Sequence, residues 1–473
     1  MKTGQLFIGG EWIEGASSFV VEDKFTGEKV ATVAAASREQ VSQAVSAAVN
    51  AFARQQLSPY ARYEILHRAA GLLGSRRNEF STTIVAESGF TITDGENEVA
   101  RGIQTLLISA EEAKRIVGEV VPIDGAPGQE HRMAFTIRSP VGVVCAITPF
   151  NSPLNTVIHK VAPALAAGNA VVLKPAMQTP LTAELLCRIL TEAGLPPGYL
   201  NLVHGNGPDV GAWLLEDPRI AFYTFTGSTN VGRIIQRTIG LRRSQLELGS
   251  ISSTIVCEDA DLARAVPRCV NASFRKAGQV CTSVQRLYVS KSIMDKFVAA
   301  LLEATKQARV GDPKDPETLV GPMISAREAE RAAAWVDEAV AQGARLVCGG
   351  RREGALFFPT ILLNANTSMR VMCDEIFAPV ISIVPYESLD AAMAEINATP
   401  YGLAAGIFTG NINTAMKAAR RLQVGTVHIN ETSSSRVDVM PYGGIKDSGF
   451  GREGPKYSID EMTDERLVTW SLS

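Results

Sequence analysis

Apolar side chains recur at helical spacing through the first quarter of the chain. The stretches REQVSQAVSAAVNAFARQ and RYEILHRAAGLLGSRRNEF place them every three or four residues, which is the spacing of one helix face. We therefore predict that residues 37–118 are mostly helical. The next stretch, GEVVPIDGAPGQEHRMAFTIRSPVGVV, combines short apolar runs with a Gly- and Pro-rich centre. It predicts an extended hairpin, which we expect to project and to pair with another subunit.

From residue 141 onward, short apolar runs alternate with helical patterns. The first series contains VGVVCAIT, AVVLKPA, LNLVHG and IAFYTFTG, with predicted helices around 155–167, 179–193 and 207–215. A second series, after residue 250, contains STIVCED, RLYVS, ISIVPYE and LAAGIFTG. Near-continuous apolar strands of this kind belong to parallel sheets that helices cover on both faces. The pattern predicts an α/β protein with two doubly wound parallel-sheet domains plus the hairpin.

The composition is typical of a soluble enzyme. The chain of 473 residues exceeds a single core, and a net charge of −3 gives no basic footprint for nucleic acid. The seven cysteines are scattered, odd in number and without a CxxC pair, so we expect neither a disulfide framework nor a metal site. The N-terminal MKTGQLFIGGEWIEG lacks a signal-peptide pattern, and no apolar run reaches the ~20 residues of a membrane span. We expect a cytoplasmic protein that binds neither nucleic acid nor membranes.

Two motifs follow predicted strands and could bind a phosphate group or a ribose. FTGSTNVG follows the apolar run AFYTF, and its Gly227 and Gly232 enclose small polar residues at a helix start. Free backbone N–H groups there bind anions such as a pyrophosphate, although an ordinary Ser or Thr helix cap has the same residues. Lys174 ends the run VVLK. It points either into the crevice where parallel sheets bind ligands or outward as a surface lysine.

Three further residues are candidates for chemistry. Asn151 lies between two prolines in TPFNSP and could donate an N–H to an oxyanion or simply form a turn. Glu247 lies in QLELGSISSTIV, where burial would raise its pKa and suit a general base, unless it faces solvent. Cys281, in RKAGQVCTSVQR, follows a predicted helix end and a Gly turn. It is either a small buried side chain or an exposed thiol that Arg275 and Lys276 make easy to ionise.

Taken in order, these motifs resemble the aldehyde dehydrogenase superfamily across essentially the whole chain. The matching positions are Asn151, Lys174, Gly227-Ser228-Thr229, Glu247, Cys281, and Glu375 with Phe377 in CDEIFAPV, followed by MPYGGIKDSGFGREG. The resemblance implies an enzyme that oxidises an aldehyde with NAD or NADP. Cys281 would form a thiohemiacetal and then a thioester. Asn151 and the backbone N–H of Cys281 would hold the oxyanion, and Glu247 would activate the water that hydrolyses the thioester.

The resemblance also implies a cofactor site. Lys174 would bind the adenine ribose, Glu375 would bind the nicotinamide ribose, and Phe377 would pack beside the nicotinamide. The other cofactor-binding positions that it implies are Thr148, Pro149, Phe150, Gly207, Thr226, Gly227, Ser228 and Gly249. Members that prefer NAD often have Glu three residues after the lysine. Met177 stands there in this chain, so NADP is admissible.

The stretches NEVARGIQ, PLNTVIHKVAPALAAGN and SSSRVDVMPYGG resemble a particular branch of the family. That branch includes lactaldehyde, non-phosphorylating glyceraldehyde-3-phosphate and phosphonoacetaldehyde dehydrogenases. It implies a substrate site at Arg101, Arg436, Thr282 and His159. A guanidinium suits a phosphate, sulfonate or carboxylate, but Val280 replaces an arginine that some phosphate-handling members have. We therefore expect a short, polar, anionic aldehyde, and a carboxylate, sulfonate or hydroxyl tail fits better than a phosphate. Salt bridges for both arginines and a packed helix position for the histidine are the alternatives.

The implied domains are residues 1–118 and 140–247 for the cofactor and 248–450 for catalysis. Residues 119–139 and 451–473 would form the oligomerisation arm of a homodimer or homotetramer. Two other functions remain open. A CoA-acylating semialdehyde dehydrogenase also uses GQVC but generally lacks the glutamate base, and a non-catalytic structural relative would not need Cys281, Asn151 or Glu247.

Overall fold

Two mainly parallel sheets organise the computed structural model, which describes residues 2–54 and 56–471. The eight strands of the first sheet are, in spatial order, Gly449–Phe450, Arg243–Glu247, Phe222–Thr226, Val143–Ile147, Ala170–Lys174, Leu200–Leu202, Leu6–Ile8 and Glu11–Ile13. The five strands from Arg243–Glu247 to Leu200–Leu202 run parallel, and the strands at both edges are antiparallel. Ala170–Lys174 is buried along its whole length, which requires cover on both faces of the sheet.

The helices of this half lie where the apolar spacing predicts them. The predicted helical region contains Arg38–Arg54, Pro59–Ser75, Arg77–Ser88 and Ile92–Ala113. The elements between the parallel strands are Asn155–Ala167, Leu181–Glu192, the π-turn Gly207–Gly211 with Ala212–Glu216, and Thr229–Ile239. Local signals set their ends. Ser58 caps the second helix by accepting a hydrogen bond from Ala61 N, and Pro59 occupies its first turn.

The order of strands in the first sheet creates a crevice. From Val143–Ile147 the chain continues to Ala170–Lys174 and Leu200–Leu202 on one side, then returns to place Phe222–Thr226 and Arg243–Glu247 on the other. Doubly wound sheets bind ligands at the carboxyl ends of the strands where the strand order reverses. TPFNSP and FTGSTNVG stand at the ends of the two strands that flank this point.

The second sheet follows the second predicted series. Its seven strands are Arg345–Cys348, Thr360–Leu363, Val380–Tyr386, Arg286–Ser290, Ser253–Val256, Ala404–Phe408 and Thr426–Ile429, and all but the first run parallel. Its helices are Leu262–Phe274, Met294–Lys306, Ala326–Ala341, Arg370–Cys373, Leu389–Asn397 and Ile412–Arg421. The predicted α/β fold is confirmed. The exact domain bounds stay a prediction, and strand Gly449–Phe450 pairs with the first sheet.

A three-stranded antiparallel sheet contains the predicted hairpin. Val120–Val121 pairs with Arg132–Pro140 on one side, and Thr463–Ser471, which follows helix Pro455–Glu461, pairs with it on the other. Two small sheets were not predicted: Lys2–Gly4, Ser17–Glu22 and Lys29–Ala35, and the pair Arg352–Glu353 and Leu356–Phe357. Among the described residues, no helix is both long and apolar enough to cross a membrane.

Candidate active site

A cavity of about 580 Å³ is lined by residues from both large sheets and their loops. The predicted site residues in its walls are Arg101, Thr148, Pro149, Phe150, Asn151, Thr226, Gly227, Ser228, Glu247, Gly249, Cys281, Thr282, Glu375, Phe377 and Arg436. Lys174, Gly207 and His159 are predicted site residues that do not line it. The fold thus brings the three catalytic candidates, Cys281, Glu247 and Asn151, to one cavity.

The backbone before Cys281 forms an unusual turn. Helix Leu262–Phe274 ends, and the φ angles of Lys276, Ala277 and Gly278 are then 52°, 52° and 68°. Left-handed conformations are costly for residues with a Cβ, so the surrounding structure must hold this turn in place. The predicted helix end and Gly turn are both present, and the turn delivers Cys281 to the cavity wall.

The Cys281 thiol is partly buried and already has a hydrogen-bond partner. Its Sγ lies 2.9 Å from Tyr442 Oη. Burial raises the pKa of Cys281 to about 11, although the hydrogen bond with Tyr442 acts in the opposite direction. The prediction of an exposed, easily ionised thiol is therefore wrong, because the fold encloses the sulfur.

The cations next to Cys281 in sequence are engaged elsewhere. Lys276 Nζ donates to Glu98 Oε2 at 2.7 Å, and Arg275 Nη2 donates to a serine hydroxyl at 2.8 Å. Arg436, which is distant in sequence, also favours the thiolate, and Arg275 still attracts it electrostatically. The expected effect of a basic neighbour is thus joined by one from another part of the chain.

Asn151 is held rigidly by the turn before the cysteine. Its Nδ2 donates to Gln279 O at 2.8 Å, and its backbone carbonyl accepts from Lys276 Nζ at 3.0 Å. The Gln279 side chain is in turn fixed, since its Oε1 accepts from Ile324 N at 2.9 Å. A carboxamide nitrogen carries two N–H donors. The second donor of Asn151 is therefore available to an oxygen in the cavity.

Glu247 is the last residue of strand Arg243–Glu247 and is only 3% exposed. Neither of its carboxyl oxygens has a hydrogen-bond partner among the described residues. Burial and the neighbouring Glu453 raise the pKa of Glu247 well above its ordinary value. A Cβ at Gly443 would lie 2.9 Å from Glu247 Oε1, so the missing side chain makes room for the carboxyl group. The alternative of a solvent-facing strand position does not hold.

The charge that acts on Glu247 belongs to a buried cluster around Glu453. Lys160 Nζ and Arg436 Nη2 each lie 2.8 Å from a carboxyl oxygen of Glu453. Burial alone would raise the pKa of Glu453, but these two cations hold it well below its ordinary value. Glu453 is therefore ionised, and its negative charge favours the protonated form of Glu247.

Aromatic and acidic side chains form another part of the cavity wall. The rings of Phe150 and Phe377 are 5.9 Å apart and nearly perpendicular, at 87°. Glu375 Oε1 accepts a hydrogen bond from Ser250 N at 2.9 Å, and burial raises the pKa of Glu375 to about 7. A Cβ at Gly249 would lie 2.8 Å from Glu375 Oε2, so this glycine lets the carboxyl group approach the backbone.

The start of helix Thr229–Ile239 also belongs to the cavity wall. Ser228 Oγ accepts from Val231 N at 3.4 Å, so Ser228 caps the helix and lines the cavity as well. The helix-cap interpretation of FTGSTNVG therefore holds, and pyrophosphate binding by the same residue stays a prediction. Nearby, the hydroxyl of Thr148 is buried and has no partner among the described residues.

Lys174 and Gly207 lie outside the cavity wall. Lys174 is 6% exposed at the end of its strand, and burial lowers its pKa to about 8. Its Nζ makes one long hydrogen bond, of 3.4 Å, to Pro175 O, which leaves donors free for a ligand. The alternative of a surface lysine is wrong. Gly207 is exposed at the start of the short π-turn.

The profile of the Aldehyde dehydrogenase family matches residues 12–468. This range contains every residue that lines the cavity. The chain belongs to the aldehyde dehydrogenase family. The predicted family and enzyme class are thereby confirmed, with NAD or NADP as the cofactor.

Three similar proteins align with nearly the whole of this aldehyde dehydrogenase. The 3-sulfolactaldehyde dehydrogenase of Priestia aryabhattai is 50% identical over 472 residues, which are 100% of this chain and 99% of that protein. The structure of aldehyde dehydrogenase 21 from Physcomitrella patens, in complex with the reaction product succinate, is 36% identical with a TM-score of 0.96, and the match covers 100% of this chain and 98% of that one. The glyceraldehyde-3-phosphate dehydrogenase GapN from Methanocaldococcus jannaschii, complexed with NADP, is 37% identical with a TM-score of 0.93, over 96% and 100% of the two chains.

Both predicted substrate arginines of this aldehyde dehydrogenase form ion pairs. Arg101 donates twice to Asp438, at 2.7 and 3.2 Å, and Arg436 pairs with Glu453. His159 Nε2 lies 2.9 Å from Asp438 Oδ1. Burial would raise the pKa of Asp438, but the hydrogen bonds from His159 and Arg101 hold it well below its ordinary value. His159 is thus a packed, hydrogen-bonded helix residue, while both arginines still reach the cavity wall.

A second cavity of about 480 Å³ adjoins the first. The two cavities share Arg101, Arg275, Lys276, Ser434 and Arg436 in their walls. In this shared wall, Arg275 Nη2 donates to Ser434 Oγ at 2.8 Å. Among the described residues, Arg275 makes no ion pair with a carboxylate. It is therefore a cation whose charge the fold leaves uncompensated by direct contact.

Several site residues were not assigned from the sequence. They are Tyr442, Ser434, Asp438, Glu453 and Lys160. The sequence did contain a signal for Lys160, because this lysine places a charge within an apolar stretch. The stretch forms helix Asn155–Ala167, which is buried throughout. A fully buried lysine requires a partner, and Glu453 is that partner. The role of Ser434 and Asp438 depends on contacts with remote residues, which no local pattern indicates.

Proposed function

We propose that this aldehyde dehydrogenase oxidises a short aldehyde with an anionic tail to its carboxylate, and that 3-sulfolactaldehyde is the first candidate substrate. The observation that carries this proposal is the environment of the Arg275 guanidinium. This group stands in the wall shared by both cavities, six residues before Cys281, and its hydrogen-bond partner among the described residues is a serine hydroxyl. A partly buried cation without a carboxylate partner is suited to an anion supplied by a ligand.

Further donors next to Arg275 support this interpretation. Arg436 Nε is buried and has no hydrogen-bond partner among the described residues, although the other end of its guanidinium pairs with Glu453. Thr282 Oγ1 donates to Ser434 Oγ at 3.3 Å. Two guanidinium groups and two hydroxyls can together surround the oxygens of a sulfonate or carboxylate.

Two of the three acidic residues of the neighbouring cavity have a cation of their own: Glu98 is paired with Lys276, and Glu317 is paired with Arg309. The third, Asp94, accepts a hydrogen bond from Thr91 and attracts Arg275 without forming an ion pair with it. The names of the similar proteins also favour an anionic substrate, because sulfolactaldehyde, succinate and glyceraldehyde 3-phosphate all carry an anionic group.

The catalytic steps follow from three side chains. The Cys281 thiol loses its proton, and its sulfur adds to the aldehyde carbon to form a thiohemiacetal. The free N–H of Asn151 and the backbone N–H of Cys281 stabilise the resulting oxyanion. After oxidation to the thioester, Glu247 takes a proton from a water molecule, and the hydroxide attacks the thioester carbon. The carboxylate product leaves and the Cys281 thiolate is regenerated.

Residues in the cavity wall and next to it are suited to bind a dinucleotide. The buried Thr148 hydroxyl without a partner and the under-bonded Lys174 ammonium are donors that a ribose or phosphate would satisfy. Ser228 and its helix start would hold the pyrophosphate, and Glu375 would hold the nicotinamide ribose. When bound, the nicotinamide supplies the acceptor for the hydride of the substrate.

The enzyme also has a surface suited to self-association. On one face of the three-stranded sheet, Val120, Met133, Ile137 and Trp470 are 81%, 42%, 39% and 61% exposed. The strand register places these side chains together, since Trp470 is opposite Met133 and Val120 is opposite Phe135. A contiguous exposed apolar face of this kind marks an interface. We propose that a second copy of the chain covers it.

The substrate assignment is tested by initial rates of cofactor reduction without CoA. NAD and NADP are each combined with 3-sulfolactaldehyde, lactaldehyde, succinate semialdehyde, glyceraldehyde 3-phosphate, and a neutral alkyl and an aromatic aldehyde. We expect the highest kcat/KM for an aldehyde with a sulfonate or carboxylate tail. A requirement for CoA would instead identify an acylating enzyme, and preference for the alkyl or aromatic aldehyde would contradict the anionic substrate.

The same panel is applied to Arg275→Gln. This change removes the cation but keeps a polar side chain, so KM for the preferred anionic aldehyde should rise by about tenfold or more. The kcat/KM for the neutral aldehydes should change little. Arg352→Gln, which alters an arginine in the small remote sheet, is the matched control. Equal losses for charged and neutral aldehydes would mean that Arg275 is structural.

A further inference from the structure

The mechanism above does not use Tyr442, although this residue contacts the thiol directly. Tyr442 Oη lies 2.9 Å from Cys281 Sγ. The phenol is only 4% exposed and lines the main cavity. Its hydroxyl is thus a buried polar group whose partner is the proposed nucleophile.

The phenol is held in place from two sides. The backbone of Tyr442 exchanges two hydrogen bonds with Glu453, with N···O distances of 3.0 and 2.6 Å. The Arg436 guanidinium lies over the tyrosine ring, 3.8 Å from its centroid, and is itself anchored by Glu453. A cation over the ring withdraws electron density from the phenol and makes its O–H a better donor. The hydroxyl therefore has a fixed position and an enhanced tendency to donate.

We propose that Tyr442 is a positioning residue that donates its phenol O–H to Cys281 Sγ and thereby orients the sulfur and stabilises the thiolate. The role rests on the proposed function, in which Cys281 is the nucleophile. When the thiol ionises, its own proton leaves to solvent and Tyr442 keeps its proton. A hydrogen bond to an ionised acceptor is stronger than one to a neutral acceptor, so this contact favours the thiolate over the thiol.

The other groups that face the sulfur are distinguishable from the phenol. Burial raises the pKa of Cys281. The carboxylates of Glu375 and Glu247 raise this pKa further, and Arg436 lowers it. All of these groups remain when the hydroxyl alone is removed. Burial also raises the pKa of Tyr442 well above its ordinary value, so the phenol stays protonated and can donate while the thiolate forms.

The test is the pH dependence of Cys281 alkylation in Tyr442→Phe. Iodoacetamide reacts with the thiolate, which displaces iodide, and mass spectrometry of the Cys281 peptide separates this reaction from that of the other cysteines. In the cofactor-free enzyme we expect alkylation of the variant to be about tenfold slower near pH 8. The ratio of the two rates should stay constant below the pKa of the wild-type thiol and shrink as the pH rises above it, where the wild-type thiol is already ionised.

Two results would overturn the proposal. Equal rates at every pH would mean that the hydroxyl does not act on the sulfur. A ratio of rates that does not shrink above the pKa of the wild-type thiol would mean that it changes only access to the sulfur. Tyr288→Phe is the matched control, because Tyr288 is also buried and its hydroxyl donates to Glu395 at 2.9 Å, in the second sheet. This control should alter thermal stability without altering the alkylation profile.

Alkylation requires neither an aldehyde nor a cofactor. It therefore reports on Tyr442 even if the proposed function is wrong. Turnover that survives in Cys281→Ser would contradict the proposed nucleophile, while the alkylation profile of Tyr442→Phe would still decide the inference about the phenol.

Discussion

At the scale of single residues, Glu247 shows how burial without partners prepares a side chain for chemistry. Most buried carboxyl groups accept several hydrogen bonds, as Glu98 does from Lys276, Ser152 and two backbone N–H groups. Both oxygens of Glu247 lack such partners among the described residues. The ionised form is therefore poorly stabilised, and Glu247 is a stronger base than an exposed glutamate.

We expect Glu247→Gln to show a burst of reduced cofactor followed by a stall. The amide cannot accept a proton from water, so the thioester should accumulate and the steady rate should fall by about 10²- to 10⁴-fold. Stopped-flow absorbance of the reduced cofactor measures both phases. Glu461→Gln is the control, because Glu461 also has a raised pKa but lies outside the main cavity. Unchanged steady turnover in Glu247→Gln would refute the role of the base.

The raised pKa of Glu247 also sets the expected pH dependence of hydrolysis. A general base works in its deprotonated form, so the steady rate should rise with pH through the pKa of Glu247. Because burial and Glu453 raise this pKa, the rise should occur above the range of an ordinary glutamate. The rate-versus-pH profile of wild type measures it. The remaining activity of Glu247→Gln should not show this rise with pH. The same rise in both enzymes would mean that a group other than Glu247 is titrating.

At the scale of elements, the turn Lys276–Gly278 connects the end of a helix to the nucleophile. It has three consecutive left-handed residues, which the neighbouring segment holds in position. A Cβ at Gly278 would lie 2.2 Å from the carbonyl oxygen of Ala378, one residue after Phe377, which itself has a φ of 51°. The turn therefore couples the position of Cys281 to the segment that carries Glu375 and Phe377.

We expect Gly278→Ala to be destabilised by about 2 kcal/mol or more, since left-handed strain adds to a steric overlap with backbone. Activity should fall as well, because the segment after Glu375 must move to relieve the overlap. Thermal unfolding and initial rates measure the two effects. Gly354→Ala is the matched control, with a φ of 59° and no atom within 4 Å of its Cβ position. Similar losses of activity in both variants would show that the close approach to Ala378 does not matter.

At the scale of the whole molecule, the three-stranded sheet presents an apolar face that its own chain does not cover. Trp470 is 61% exposed on this face, whereas Leu467, 56% exposed, stands on the opposite face of the same strand. An exposed tryptophan among other apolar side chains contributes strongly when a partner covers it. The two residues thus provide a direct comparison between the faces.

We expect Trp470→Glu to shift the protein toward a smaller assembly at equal concentration, because a charge would be buried in the apolar interface. Size-exclusion chromatography with light scattering measures the mass. Leu467→Glu should leave the mass of the wild-type assembly unchanged. A monomeric wild type, or equal dissociation of both variants, would contradict the proposed interface.

Much of the fold could be predicted because local patterns and tertiary position coincide in parallel sheets. Strands such as Ala170–Lys174 are buried on both faces, so they appear as continuous apolar runs. Strands Ser17–Glu22 and Lys29–Ala35 combine buried and exposed positions. They were therefore not predicted from a continuous apolar run. The catalytic candidates Asn151 and Glu247 were predicted from the family resemblance, and they meet in one cavity because both follow or end parallel strands at the carboxyl edge of the same sheet.

The sequence by itself therefore determined the family, the order of the main parallel strands and helices, and most of the site residues that line the cavity. Only the tertiary structure decided which charges remain free. Arg101 is paired with Asp438 across 337 residues of chain, and Lys276 with Glu98 across 178, while Arg275 forms no ion pair with a carboxylate of the described residues. Whether a cation is free to bind a ligand depends on the groups that folding brings within a few ångströms of it. The ionisation of Cys281 depends on such neighbouring groups and on the exclusion of water by the folded chain. Neither quantity has a local pattern in the chain, because electrostatic partners are selected by distance in space.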